Sequence, residues 1–168
     1  MKRLYCGGCF DFDYQQANYR RQAAGDYRAI LLGSADLLLQ RSGGVKLHEG
    51  VIYIGPFYFE SDGMVDRDIV RSEMEMVEAC TDTIFFLDRA GCPGTVCELT
   101  AASMLGKNVH IFYLRKGDDE ETESDLHTPC WYPILHSSII NEKTHVHPCS
   151  SGEDAAEQIQ KLVSSWKE

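Results

Sequence analysis

The feature that most constrains this chain is a set of short, unbroken apolar runs spaced along it. They are Leu4-Tyr5-Cys6, Val51-Ile52-Tyr53-Ile54, Ile84-Phe85-Phe86-Leu87 and Val109-His110-Ile111-Phe112-Tyr113-Leu114. A strand with one wet face alternates apolar and polar residues; one covered on both faces is apolar throughout. These runs therefore read as central strands, and Thr144-His145-Val146-His147 reads as a fifth.

Helical patterns fill the gaps. From about Ala17 to Leu39, Ala, Leu and Arg recur at helical spacing, with Gly25 and Gly33 as breaks. Between Val65 and Cys80 the positions Ile69, Val70, Glu73, Val77 and Cys80 make one stripe. Thr95 to Leu105 reads as a compact helix closed by Gly106, where a left-handed residue is wanted. Asp154 to Trp166 puts Ala155, Ile159, Leu162, Val163 and Trp166 on an inner side. Strands alternating with helices specify βαβ units. The expected fold is a flavodoxin-like three-layer α/β/α domain over residues 1–168, with a parallel sheet of roughly five strands.

Composition narrows the partners. The net charge of −10 disfavours nucleic acid, whose phosphates repel an acidic surface. Much of that charge lies in Asp118-Asp119-Glu120-Glu121 with Glu123 and Asp125, which reads as a solvated loop. No apolar run approaches the ~20 residues of a membrane span, and the start lacks the apolar stretch of a signal peptide. A cytoplasmic protein follows as the expectation. Seven cysteines, an odd number, then read as thiols. Cys6-Gly7-Gly8-Cys9 has redox spacing but reads better as a glycine turn, with Cys6 and Cys9 free and no zinc. His145 and His147 share a strand face without an obvious third ligand, so no metal and no cofactor is expected.

Ligands of open α/β sheets bind beyond the carboxyl ends of the strands. Three such ends here carry unusual loops: Gly7-Gly8-Cys9-Phe10-Asp11-Phe12, Gly55-Pro56-Phe57-Tyr58-Phe59-Glu60, and Asp88 through Thr95. Glycines admit a ligand close to the backbone, and rings offer faces to a base or sugar. Thr95 and Glu98 have the spacing of a capping box. Glu98 is then either a cap or a carboxylate facing the ligand from the first helical turn, and the residues alone leave both open.

The ordered motifs Tyr53-Ile54-Gly55-Pro56-Phe57, Thr81-Asp82-Thr83-Ile84, Gly94 to Glu98 and Gly106-Lys107-Asn108-Val109 resemble the nucleoside 2-deoxyribosyltransferase family. Leu4-Tyr5-Cys6-Gly7-Gly8 is similar to that family's first strand and substrate loop. The resemblance implies covalent glycosyl transfer, with Glu98 attacking C1′ of a deoxyribose and a second base or water taking the sugar. It also implies a nucleoside or nucleotide partner, contacted by Tyr5, Gly7, Gly8, Phe10, Gly55, Pro56, Phe57, Gly94 and Thr95. The chain departs from the family at Cys92, where a carboxylate is usual, and at Met74, where an aspartate is usual. Glu73, on the inward stripe, is the substitute expected to bind the sugar, and Asp88 the substitute acid. The family further implies a homodimer or higher homo-oligomer. Trp131-Tyr132-Pro133 either completes a partner's pocket or forms a core edge. Beside transfer stand two rivals, an N-glycoside hydrolase and a nucleotide-sensing module without turnover.

Overall fold

The computed structural model describes residues 1–12, 15–40, 43–58, 65–89, 92–116, 126 and 128–166. The acidic run 118–125 and the loop residues Phe59, Glu60, Ala90 and Gly91 lie outside the described residues. In chain order the elements are β1 (Lys2–Gly7), α1 (Tyr19–Ala24), α2 (Tyr27–Leu32), α3 (Ala35–Leu38), β2 (Val45–His48) and β3 (Val51–Gly55). There follow α4 (Asp66–Ala79), β4 (Asp82–Leu87), α5 (Pro93–Met104), β5 (Asn108–Leu114), α6 (Trp131–Ile140), β6 (Thr144–Cys149) and α7 (Gly152–Ser165).

The sheet has six strands in the order β2-β3-β1-β4-β5-β6, parallel except for β2, which runs antiparallel to β3. Without β2 this is the flavodoxin-like order, in which the chain crosses from one edge to the other beside β1. The added strand escaped the search for continuous apolar runs because Val45-Lys46-Leu47-His48 alternates, as a half-exposed edge strand does. Helix α6 was not among the expected helices; its Pro133 sits in the first turn, where a missing N–H breaks no helical bond.

Each sheet face has its own core. On one side α1, α2, α3 and α7 cover Leu4, Cys6, Tyr53, Ile84 and Phe112. On the other α4, α5 and α6 cover Tyr5, Phe85, Leu87, Val109 and Ile111. Neighbours in sequence such as Ile84 and Phe85 thus serve opposite layers, which explains why the central strands are apolar throughout. Val70 departs from the expected α4 stripe: it is 58% exposed, and Val77 and Cys80 carry the buried contact.

Two of the motifs behind the family resemblance lie at the amino-terminal edge of the sheet and work as structure. Asp82 is buried and accepts from Lys2 Nζ at 2.5 Å, Thr81 Oγ1 at 2.7 Å and Asn108 Nδ2 at 3.2 Å. Lys107 Nζ donates to the carbonyls of Glu78 and Cys80, closing the end of α4. Gly106 turns the chain out of α5 at φ +65°, and an added Cβ there would meet nothing within 4 Å. Gly106→Ala therefore tests backbone strain alone. It should cost about 1 kcal/mol in urea unfolding, whereas an unchanged midpoint would contradict the left-handed turn.

Candidate active site

The end of β1 is the floor of the site. Gly7 pairs with Phe85 of β4, and a Cβ on Gly7 would strike the Phe85 ring and come within 3.0 Å of Glu98 Oε2. The Glu98 carboxylate therefore rests on the main chain of β1, at a position only glycine leaves open.

Glu98 gets there from α5, though not from its first turn. Cys92 is the N-cap and Pro93 the first helical residue, so Glu98 is the sixth. The expected capping box is thus corrected. Proline favours the opening helical position, which starts the helix three residues before Thr95 can cap it. Thr95 is buried instead, 6% exposed, and no side chain caps the helix. With the capping role gone, the Glu98 carboxylate is left facing the site.

Its electrostatics are unusual for a glutamate. Glu98 is 7% exposed; burial, reinforced by the charge of Glu73 on α4, pushes its carboxyl up to about 8. The Tyr5 hydroxyl and the more distant Arg28 pull the other way. Tyr5 is fully buried, and its hydroxyl has no partner of ordinary hydrogen-bond geometry among the described residues, although it interacts with Glu98. Burial first, and then the Glu98 and Glu73 charges, hold its phenol far above the ordinary range. Glu73, Glu98 and Tyr5 thus form one coupled group, in which two carboxyls compete for ionisation.

A second group fixes the β1 loop from beneath. Asp26 caps α2 through the Arg28 N–H at 2.8 Å and grips the Arg28 guanidinium at 2.9 and 2.7 Å. Arg28, fully buried, donates onward to the carbonyls of Gly8 at 3.0 Å and Cys9 at 2.9 Å, and lies 3.7 Å from the Phe10 ring centroid. Tyr27 Oη donates to the Gly7 carbonyl at 2.7 Å. Three successive carbonyls of the substrate loop are therefore held by Tyr27 and Arg28. The sequence reading missed this set; an arginine within the apolar run Tyr27-Arg28-Ala29-Ile30-Leu31-Leu32, straight after a capping Asp26, was the available signal.

Other expected contacts divide between the two sheet faces. Asp88 follows Ile84 and Phe86 toward the α2 and α7 side, where it lines a cavity of about 240 Å³ with Asp11, Asp26, Tyr27, Ile30, Phe86 and Glu153. Its carboxylate is paired to Arg89, at 2.7 Å through Nη2, and Arg89 also binds Asp11. Asp88 is thus already engaged by Arg89, on the α2 and α7 side of the sheet. Phe57 is 3% exposed and packs edge-on against Tyr53, so it belongs to the core rather than to a ligand face. Phe10 carries Arg28 and meets Phe12 and Tyr58. Pro56 follows a cis peptide from Gly55, and its carbonyl accepts from Tyr53 Oη at 2.5 Å. Gly8 lies at φ +147°, and Gly94 in the first turn of α5 has open space about it.

The cysteine expectation is half corrected. Cys6 is a free, buried thiol, but Cys9 is disulfide-bonded to Cys92, their Cα atoms 6.2 Å apart. The β1 loop turns across the end of β4 and brings Cys9 over the N-cap of α5, while Cys6 points into the core. Cys9, Cys92 and Asp88 are also the described side chains with donor atoms close enough to share a metal ion. With the two sulfurs bonded to each other they do not serve as ligands. His145 and His147 gain His110 as a stacked neighbour, with His110 Nδ1 3.2 Å from His147 Nε2. Burial and its two neighbours lower His110 to about 4, which keeps the ring neutral.

Fold and site together define a three-layer α/β protein with a buried carboxylate beside the point where the strand order reverses. No protein-family model and no curated protein sequence matches the chain. Among solved structures it is similar to a CMP N-glycosidase, BcmB, from Clostridium botulinum, at 14% identity and a TM-score of 0.53, covering 94% of this chain and 98% of that one. It is also similar to the FeoB G-domain of Methanococcus jannaschii, at 13% identity and a TM-score of 0.50, covering 98% and 96%. At these identities the likeness is one of fold. No helix among the described residues is long and apolar enough to cross a membrane.

Two stability measurements check these electrostatics. Arg28→Met should cost ~3–5 kcal/mol by stranding Asp26, and Asp26→Asn with Arg28→Met should cost less than the two single changes summed. Additive losses would mean that the pair is not coupled. The raised Glu98 carboxyl favours the folded state fully below about pH 4.5, and that contribution is lost as pH rises toward about 8. Glu98→Gln should accordingly match the wild type in acid and exceed its stability by ~2–4 kcal/mol at pH 8 and above. Parallel pH profiles would contradict this.

Proposed function

We propose that the chain is an enzyme of N-glycosidic bonds that carries a 2-deoxyribosyl group on Glu98 from one nucleobase to another. The observation that carries the reading is the Glu98 carboxylate lying on the glycine floor of β1, desolvated, beside Tyr5 and Glu73. The ordered motifs of the family resemblance support it. So does the shared fold with a protein described as a CMP N-glycosidase, in the general sense of work on N-glycosidic bonds.

In this mechanism the ionised Glu98 attacks C1′, the C1′–N bond breaks, and its electron pair leaves with the base. The departing base takes a proton from a neighbouring acid. In this proposal substrate binding moves the proton for which the two carboxyls compete from Glu98 to Glu73, which makes Glu73 rather than Asp88 the acid. A second base then attacks C1′ from the opposite side and releases Glu98. Water in its place would give the hydrolase.

Charge favours an uncharged nucleoside over a nucleotide. Among the described residues just beyond the ends of β1, β3 and β4, the carboxylates Asp11 and Asp88 stand against the single cation Arg89. Arg89 is already engaged by Asp11 and Asp88. A 5′-phosphate would enter a repulsive field.

The reading includes self-association. The outer face of α6 exposes Tyr132, Leu135, Ile139 and Ile140, next to exposed Met104 and Leu105 after α5, and α6 carries no Asp, Glu, Lys or Arg. A second copy of the chain is the proposed cover.

Deoxyadenosine incubated with a free pyrimidine base should yield a new deoxynucleoside. Glu98→Gln should fold and lose turnover, because an amide neither attacks C1′ nor leaves it. Glu73→Gln should slow turnover by roughly 100-fold or more, whereas Asp88→Asn should keep most of it. A Glu98→Gln protein with the wild-type rate would end the covalent reading, leaving the nucleotide-sensing module in its place. Light scattering should give at least a dimer, and Ile139→Asp should shift it toward monomer; a monomeric wild type would remove the assembly.

A further inference from the structure

The Cys9–Cys92 bond joins the two loops that flank the Glu98 site, across a sequence separation of 83 residues. One end is in the β1 loop, two residues after the glycine that supports Glu98. The other is the N-cap of α5, the helix that carries Glu98. Arg89 joins the same loops non-covalently through Asp11 and Asp88. The remaining cysteines stand apart from this pair. Cys6, Cys80, Cys130 and Cys149 are buried thiols, all raised by burial, Cys80 and Cys149 to about 11, and such groups stay protonated and unreactive. Cys97 is free and exposed on α5. Cys9 is half-buried, whereas Cys92 is buried at the N-terminal end of a helix of 12 residues.

We propose that Cys9 and Cys92 are a reversible thiol–disulfide pair that locks the β1 loop onto the first turn of α5 when oxidised and frees the loop tip when reduced. The oxidant is a low-molecular-weight disulfide such as glutathione disulfide. The Cys9 thiolate attacks one of its sulfurs and expels a thiolate, giving a mixed disulfide. Cys92, losing its proton, then attacks the Cys9 sulfur and expels the second thiolate. Two electrons and two protons pass from the pair to the oxidant, which leaves as two thiols. In the reduced state the carbonyls of Gly7, Gly8 and Cys9 remain held by Tyr27 and Arg28. The change is therefore confined to the loop beyond them, which stays tied by the ring contacts of Phe10 and Phe12 with Tyr58 and by the exposed ion pair of Asp11 with Arg89. The proposal does not depend on which reaction Glu98 performs.

The test needs no substrate. The whole protein is equilibrated in glutathione buffers from reducing to oxidising, alkylated after denaturation and weighed. Of its seven cysteines, all should be alkylated at the reducing end and five at the oxidising end, reversibly, with Cys9 and Cys92 as the protected pair. Hydrogen exchange in residues 10–12 should be roughly tenfold faster in the reduced protein. Cys9→Ser should exchange at the reduced rate in every buffer. Seven alkylated cysteines under oxidation, or a bridge that survives the most reducing buffer, would overturn the proposal. So would bridging without a change in exchange, or stoichiometric zinc on Cys9, Cys92 and Asp88 in the reduced protein.

Discussion

The rest of the site depends on one buried ion pair. Asp26 and Arg28 are 8% and 0% exposed in their side chains, and a charge so placed is tolerable only when every donor is matched. Arg28 matches its donors with Asp26 and with the carbonyls of Gly8 and Cys9, and in doing so fixes where the chain goes after β1. That path sets Gly7 flat against Phe85, which gives the Glu98 carboxylate its floor. The same charge, felt through the core, partly offsets the cost of ionising Glu98. A single arginine on α2 thus links the shape of the loop to the chemistry of a carboxylate on the opposite layer.

The sheet itself sorts the functional groups. Residues alternate between the faces of β1 and β4, so Tyr5 and Phe85 look toward α4 and α5, whereas Cys6, Phe86 and Asp88 look toward α2 and α7. The first side holds Glu98, Glu73 and Tyr5, a compact dry group with a strongly perturbed carboxyl. The second holds Asp88, Arg89, Asp11 and a cavity rimmed by carboxylates. The perturbed carboxyl thus belongs to the first side, and the ties that shape the loops belong to the second.

Most of the architecture was legible in the sequence because buried parallel strands advertise themselves by continuous apolar runs. All five expected strands are present, and Gly25 and Gly33 do divide the first helical stretch into α1, α2 and α3. What stayed hidden was what periodicity cannot carry. The edge strand β2 alternates and was invisible to a search for apolar runs. At the site, the inward stripe on α4 pointed to Glu73, and it is Glu73 whose charge acts on Glu98. The capping box misled, because Pro93 starts α5 earlier than Thr95. Cys9 was misjudged because which way a side chain leaves a loop is decided by the layers packed around it, and the same packing puts Asp88 on the α2 and α7 side and Phe57 in the core. Arg28 was missed because a charged residue in a helix reads as surface until its partners are known.

The central claim is that Glu98 becomes covalently bonded to a sugar carbon. The most direct measurement is intact-protein mass spectrometry after incubation with a 2-deoxy-2-fluoro arabinosyl nucleoside, whose electron-withdrawing fluorine slows breakdown of a glycosyl ester. The account predicts a mass gain equal to one fluorinated pentosyl group, located by peptide mapping to Glu98 and reversed by adding a free nucleobase. Base release without any adduct, or an adduct on a different residue, would contradict it.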